Sequence, residues 1–304
     1  MTTFMPAAAC LLAALCAVAS HGAPAFKPAA DGGFEFDTGV LRGRLRAGGK
    51  SLGLSSVVHV PTATRLDSSN GLFSHYRVFT RGKRHGGGAW DWPSTATLRP
   101  DGAVEVLFPA TPERPIELKA LYRWAGPATL DLETTVRAVS DLEAFESFLA
   151  SYFSAPFTNS IVYARDSTST PNRSGFFAAD KPAGDWQIFP RDDAAAGVIR
   201  DGRWQLEPHP VAWVIRPPLA RPLAVRRAPG AGLAAILMAA PTDCFAIATP
   251  HESDGHYSTY LSLFGRDLKA GETARARARL VILPSPSASD AEIIRLCETW
   301  EESR

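Results

Sequence analysis

Between Phe73 and Trp92 the chain reads FSHYRVFTRGKRHGGGAWDW. Two imidazoles (His75, His85), four cations (Arg77, Arg81, Lys83, Arg84) and one carboxylate (Asp91) sit there among the rings of Phe73, Tyr76, Phe79, Trp90 and Trp92. Side chains alternate along an extended strand, so Phe73, His75, Arg77 and Phe79 are expected on one face and Ser74, Tyr76 and Val78 on the other. An imidazole and a guanidinium would then project side by side. Gly86, Gly87 and Gly88 permit backbone conformations closed to other residues, which lets the strand loop and return as AWDW. Polar groups set among aromatic planes suit a sugar ring, with its apolar C–H faces and hydroxyl rim. Trp90 and Trp92 would be stacking platforms, with Tyr76, Arg77 and Asp91 as polar contacts. Arg77 would also suit the anion of a uronate or sulfated sugar. A basic, solvated hairpin with both tryptophans pinned in the core is the competing reading.

A second polar cluster, PHESDGHYSTY, runs from Pro250 to Tyr260. His251 and His256 flank Glu252 and an Asp254-Gly255 turn. Imidazole changes charge near neutral pH and burial can tune a carboxylate upward, so His75, His256 and Glu252 are candidates for acid and base roles. His251 and Tyr257 are candidate substrate contacts. The same atoms could ligate a divalent metal, with His75 or Glu146 as a third ligand, but the spacing matches no zinc signature, and no metal or cofactor is assigned. Each cluster pairs a histidine with a tyrosine, His75-Tyr76 and His256-Tyr257, and the curvature of a β sandwich is expected to bring the two together. His59 lies in an apolar run and reads as buried, and His209, between two prolines, as a loop residue. Nucleophile-elbow, P-loop and dinucleotide motifs are absent, which argues against serine hydrolase, NTPase and dehydrogenase chemistry.

The elements that must hold these clusters are strands. The 304 residues carry a net charge of +1 with basic residues dispersed, which argues against a nucleic-acid partner. Residues 1–23 read as a secretory signal, with an apolar core from Ala7 to Ala19 and a small-x-small site at Ala17-Val18-Ala19, although the n-region lacks a basic side chain. A secreted or periplasmic location follows, with residues 24–304 as one soluble domain without a membrane span. Cys244 and Cys297 would then form one bridge or remain two buried thiols.

Alternation predicts a hairpin over 33–45 turning at Asp37-Thr38-Gly39, and strands at 117–124 and 128–139. In the last of these, Leu130, Leu132, Thr134 and Val136 should face inward and Asp131, Glu133, Thr135 and Arg137 outward. Residues 141–153 carry a helical apolar period but are read as a strand presenting Glu146, Phe148, Ala150 and Tyr152 on one face. A surface excursion is expected at 158–183 and an extended surface crossing at 217–229. The runs 232–240 and 245–249 read as doubly buried strands. One helix is expected after Pro286, where Ser289-x-x-Glu292 forms a capping box and Ile293, Leu296, Cys297 and Trp300 share a face. The fold class is all-β, a large antiparallel sandwich with a short C-terminal α-helix.

With FSHYRVF leading to AWDWPS, strands around FESFLASYF, and an ending FGRDLKAGETARARARLVI entered through an L-x-x-G-E turn, the chain resembles the galactose-mutarotase-like, or aldose-epimerase-like, β-supersandwich superfamily over about Phe34 to Leu283. The resemblance implies a carbohydrate ligand and epimerase-like or lyase-like acid/base chemistry. Aldose epimerases pair a histidine acid with a glutamate base, for which the nearest positions are His75 or His256 and Glu252 or Glu146. The epimerase H-P-x-x pattern is absent. The alternative is a non-catalytic cell-envelope module that binds another protein through a flat aromatic face with its histidines apart.

Overall fold

The computed structural model describes residues 24–46, 51–165, 173–285 and 288–303, so the expected signal at 1–23 lies outside the described residues. The strands form sheets of five, nine and seven members, antiparallel except where Val214–Ile215 runs parallel to Trp186–Pro190. The seven-stranded sheet runs in the order Val214–Ile215, Trp186–Pro190, Cys244–Pro250, Ser258–Leu268, Leu142–Tyr152, Ser74–Thr80, Lys83–Arg84. This is the all-β sandwich expected from the sequence.

The main core lies between sheets. Leu130, Leu132, Thr134 and Val136 turn inward as predicted, while Asp131 pairs with Arg279 at 2.6 Å and Arg137 with Glu117 at 3.1 Å outside. Opposite charges on neighbouring strands stabilise the exposed side of the ladder modestly. Two polar ties cross the apolar interior. His75 lies within 3.3 Å of Thr134 Oγ1 on the facing sheet, and Arg226 donates to the Thr249 and Thr259 hydroxyls and to the Phe157 and Ser258 carbonyls. Burial with no carboxylate bonded to it lowers the Arg226 pKa to about 9.

The expected excursion at 158–183 contains the paired strands Asn159–Arg165 and Ser174–Ala178, at one edge of the nine-stranded sheet. Residues 217–229 are likewise no surface crossing, since Leu219–Ala228 pairs with neighbours on both sides. Its prolines are tolerated because Pro217 and Pro218 precede the strand and Pro222 sits where the ladder to Asn159–Arg165 is irregular. The terminal helix spans Asp290–Glu302 with the capping box formed, and packs Ile293, Cys297 and Trp300 onto the outer side of the nine-stranded sheet. A seven-residue helix not foreseen, Asp193–Ile199, is capped by Asp192, whose carboxylate accepts from the Ala195 N–H at 2.8 Å. Cys244 and Cys297 are buried free thiols. No described helix is long and apolar enough to cross a membrane.

Candidate functional site

The outer face of the seven-stranded sheet carries a second apolar cluster, and a cavity of about 370 Å³ opens into it. Phe148 and Tyr152 from the Leu142–Tyr152 strand and Tyr260 from Ser258–Leu268 form its floor, with the Phe148 and Tyr260 rings stacked at 4.6 Å. Glu146, Phe148, Ala150 and Tyr152 share this side, as the strand reading of 141–153 required.

Tyr76 and Arg77 both line the cavity, although neighbours on a regular strand face opposite ways. The pairing explains it. Val78 lies opposite Ser147 and His75 opposite Leu149, so two residues, Tyr76 and Arg77, face the single residue Phe148. This is a β-bulge, and the extra residue turns both side chains outward. The expectation that His75 and Arg77 share a face is therefore corrected. His75 faces the main core, where its Nδ1 lies 3.2 Å from Ser147 Oγ and burial lowers its pKa to about 4.

Tyr76 and Trp90 stack at 4.2 Å with planes 6° apart. A Cβ on Gly88 would lie 2.8 Å from Trp90 Nε1 and 3.1 Å from Tyr76 Cδ2, so the last glycine of the triplet is needed for close approach. Gly86, at φ 77°, is the member that needs conformational freedom. Trp204 and Trp213 meet edge to face at 5.2 Å, and Trp186 packs against Trp213 and His256. The indole N–H groups of Trp204 and Trp213 are buried without a partner among the described residues.

The Arg77 guanidinium lies 5.1 Å from the Tyr76 ring centre and 5.3 Å from that of Trp204. It gives one hydrogen bond, from Nη2 to the His209 carbonyl at 2.8 Å. Arg84 lies 5.9 Å from the Tyr76 ring centre and donates to the carbonyls of Gly86, Gly87 and Pro208. Burial first, and the charge of Arg77 second, lower the Arg84 pKa. Burial raises the pKa values of Tyr152 and Tyr260, so both phenols stay protonated, and Ser258 Oγ donates to the Tyr260 oxygen at 2.7 Å.

His256 lines the cavity, with Nδ1 2.6 Å from Asp254 Oδ1. That contact assigns the proton to Nδ1 and leaves Nε2 as the acceptor. The other predicted residues are placed differently. His75, Trp92 and Tyr257 belong to the main core. Trp92 meets Phe108 edge to face and has the Arg114 guanidinium 3.9 Å from its ring centre, so it stacks on protein and not in the cavity. Asp91 accepts from Trp90 Nε1 at 3.1 Å outside the lining. His251 is buried, with Nδ1 accepting from the Ser253 N–H, and the Glu252 amide donates to Ala179; neither lines the cavity. Of the two His-Tyr pairs, Tyr76 and His256 meet in the cavity, but the two imidazoles do not converge, because His75 stays on the inner face. Glu146 is bound to Arg203 at 3.0 Å, so neither it nor His75 joins the 250–260 turn as a metal ligand.

Besides Phe148, Tyr152 and Tyr260 on its floor, the cavity is lined by Asn70, Trp186, Trp204, His209, Pro210, Val211 and Trp213, none of which the sequence singled out as a site residue. Three of the seven tryptophans fall between 186 and 213, in a stretch of weak alternation, and that clustering was the available signal.

The chain matches no family model and no curated protein. Among solved structures, the Slr1438 protein from Synechocystis sp. PCC 6803 is similar over 87% of this chain and 98% of its own, at 10% identity and a TM-score of 0.52. A galactose mutarotase-like protein from Clostridium acetobutylicum is similar over 86% and 98%, at 12% identity and a TM-score of 0.48. A GalM/aldose epimerase homologue from C. elegans is similar over 86% and 92%, at 10% identity and a TM-score of 0.41. At such identities the likeness shows the fold alone.

Proposed function

We propose that the protein binds a carbohydrate in the aromatic cavity and that His256, oriented by Asp254, exchanges a proton with it in epimerase-like or lyase-like chemistry. The observation that carries this reading is the lining itself: aromatic rings form most of the wall, interrupted by the polar Asn70, Arg77, His209 and His256 and by Pro210 and Val211. Its volume lies in the range of about 300–1,000 Å³ usual for small-ligand sites. Rings offer faces to sugar C–H groups, and the unpartnered indole N–H groups would be satisfied by hydroxyls. His256 Nε2 would be the base, while the protonated phenols of Tyr152 and Tyr260 can give up a proton but not take one. A concave site, where a flat face was the mark of a protein-binding module, supports a small ligand.

A glycan array followed by calorimetric titration tests the reading. Trp90→Ala should weaken any saccharide found by about tenfold or more, and His256→Ala should remove turnover while leaving binding measurable. Absence of any saccharide ligand, or unchanged affinity in Trp90→Ala, overturns it. Export belongs to the same proposal, and a mature amino terminus near residue 24 on protein recovered outside the cytoplasm is its check.

A further inference from the structure

The cavity lining holds a cation and no carboxylate. Arg77 is 4% exposed, and a guanidinium carries five N–H donors, of which the His209 carbonyl takes one. Nε and Nη1, with three of those hydrogens, are buried with no partner among the described residues. Arg84 stands behind the same Tyr76 ring, donates to three carbonyl oxygens and feels the Tyr76 hydroxyl and the more distant Glu207 carboxylate, with no carboxylate hydrogen-bonded to it among the described residues. Two guanidinium groups thus flank one aromatic ring without an acid hydrogen-bonded to either. The other buried arginines have their donors engaged: Arg203 is compensated by Glu146 and Asp201, and Arg226, which bonds no carboxylate, gives all three of its nitrogens to hydroxyls and carbonyls, whereas Arg77 leaves two of its three nitrogens without a partner among the described residues.

Leaving a buried charge unpaired is costly, and ring faces at 5.1 and 5.3 Å offset only part of that cost. Within a site walled by apolar rings the attraction for an opposite charge is strong, since little water lies between to screen it. Resting on the carbohydrate reading above, the geometry points to an anionic saccharide as the ligand, with Arg77 as the group that recognises the sugar's negative charge and Arg84 reinforcing the field. Carboxylate on a uronic acid and sulfate ester on a neutral sugar share this chemistry. A neutral sugar would leave the orphaned donors as they are. A cationic ligand, the usual guest of an aromatic cage, is opposed by the two guanidinium groups.

The test titrates the full chain, as produced, with three matched sets of galactose-series oligosaccharides: neutral, uronate and sulfated. The methyl ester of the uronate serves as a neutral isostere. The uronate or the sulfated sugar should bind about tenfold or more tightly than its neutral counterpart, with a preference that shrinks as salt is raised. Which of the two wins identifies the anion. Arg77→Gln should abolish that preference, and the acid-to-ester comparison on the unaltered protein decides the matter should this variant not fold. Equal affinity for acid, ester and neutral sugar overturns the anionic assignment while leaving the carbohydrate reading standing. Failure of every saccharide, charged or neutral, to bind overturns both.

Discussion

Glu146 and Arg203, neither of them exposed, meet at 3.0 Å beneath the aromatic cavity, and the same guanidinium binds Asp201 at 2.7 Å and the Ala144 carbonyl at 2.9 Å. Burial raises the Glu146 pKa, an effect that Arg203 opposes, and the hydrogen bonds and charges of Asp201 and Glu146 hold Arg203 above its ordinary value against its own desolvation. The next residue along the chain is Trp204, which forms part of the cavity wall and meets Phe148 at 4.8 Å. The ion pair therefore fixes the ring that closes one side of the site. Glu146, a candidate base by resemblance, is thus engaged in an ion pair behind the wall and does not line the cavity.

Arg203→Met strands the buried Glu146 carboxylate without its cation and should lower unfolding free energy by about 3–5 kcal/mol. The double variant Glu146→Met with Arg203→Met should lose less than the single one, because two charges leave the interior together. Urea titration of the three proteins checks this. A double variant no more stable than Arg203→Met contradicts the assignment.

Acid should weaken the fold through His75. Its folded pKa of about 4 lies below the ordinary 6.5, so between those values the unfolded chain holds more protons. Stability therefore rises with pH through that window and is lost as pH falls through it, by on the order of 3 kcal/mol for this one group. His85, lowered to about 4 by burial and by nearby Lys83 and Arg114, acts in the same direction. His75→Gln keeps an amide within reach of Ser147 and Thr134, and should flatten the profile of melting temperature against pH between 4 and 6.5. Parallel profiles for the two proteins would falsify the buried neutral imidazole.

The tryptophans of AWDW should separate cleanly. Trp92→Ala empties a core position and should cost about 3–5 kcal/mol of stability. Gly88→Ala drives a methyl group against the Tyr76–Trp90 stack and should weaken saccharide binding several-fold with a much smaller change in stability. Thermal melts paired with titrations distinguish the two, and a Gly88→Ala protein with full affinity would show that the stack tolerates displacement.

Strands with one wet face were legible. Thr129–Ala138 alternates because Leu130 and Asp131 meet different surroundings. Leu142–Tyr152 is buried on both sides, so its polar residues had no reason to recur every second position, and a helical period arose by coincidence. The terminal helix announced itself through Ser289 and Glu292, whose bonds are local. The cavity was legible only in part: Tyr76, Arg77, Trp90 and His256 line it, while His75, Asp91, Trp92, His251, Glu252 and Tyr257 do not. Nothing within FSHYRVF marks an extra residue, since that irregularity exists only relative to Phe148, far along the chain. Trp204 lies on a single 3-10 turn and Trp213 on an irregular segment, whose placement local periodicity does not encode.

The unmatched residue on the Ser74–Thr80 strand sets the phase of every side chain that follows it. Removing either Tyr76 or Arg77 would restore an even ladder but leave one outward side chain where there are two, either a ring without its charge or a charge without its ring. Among more distant relatives, a one-position gap in an alignment at this point would thus signal a changed taste in ligands, and would deserve more weight than a loop several residues longer elsewhere.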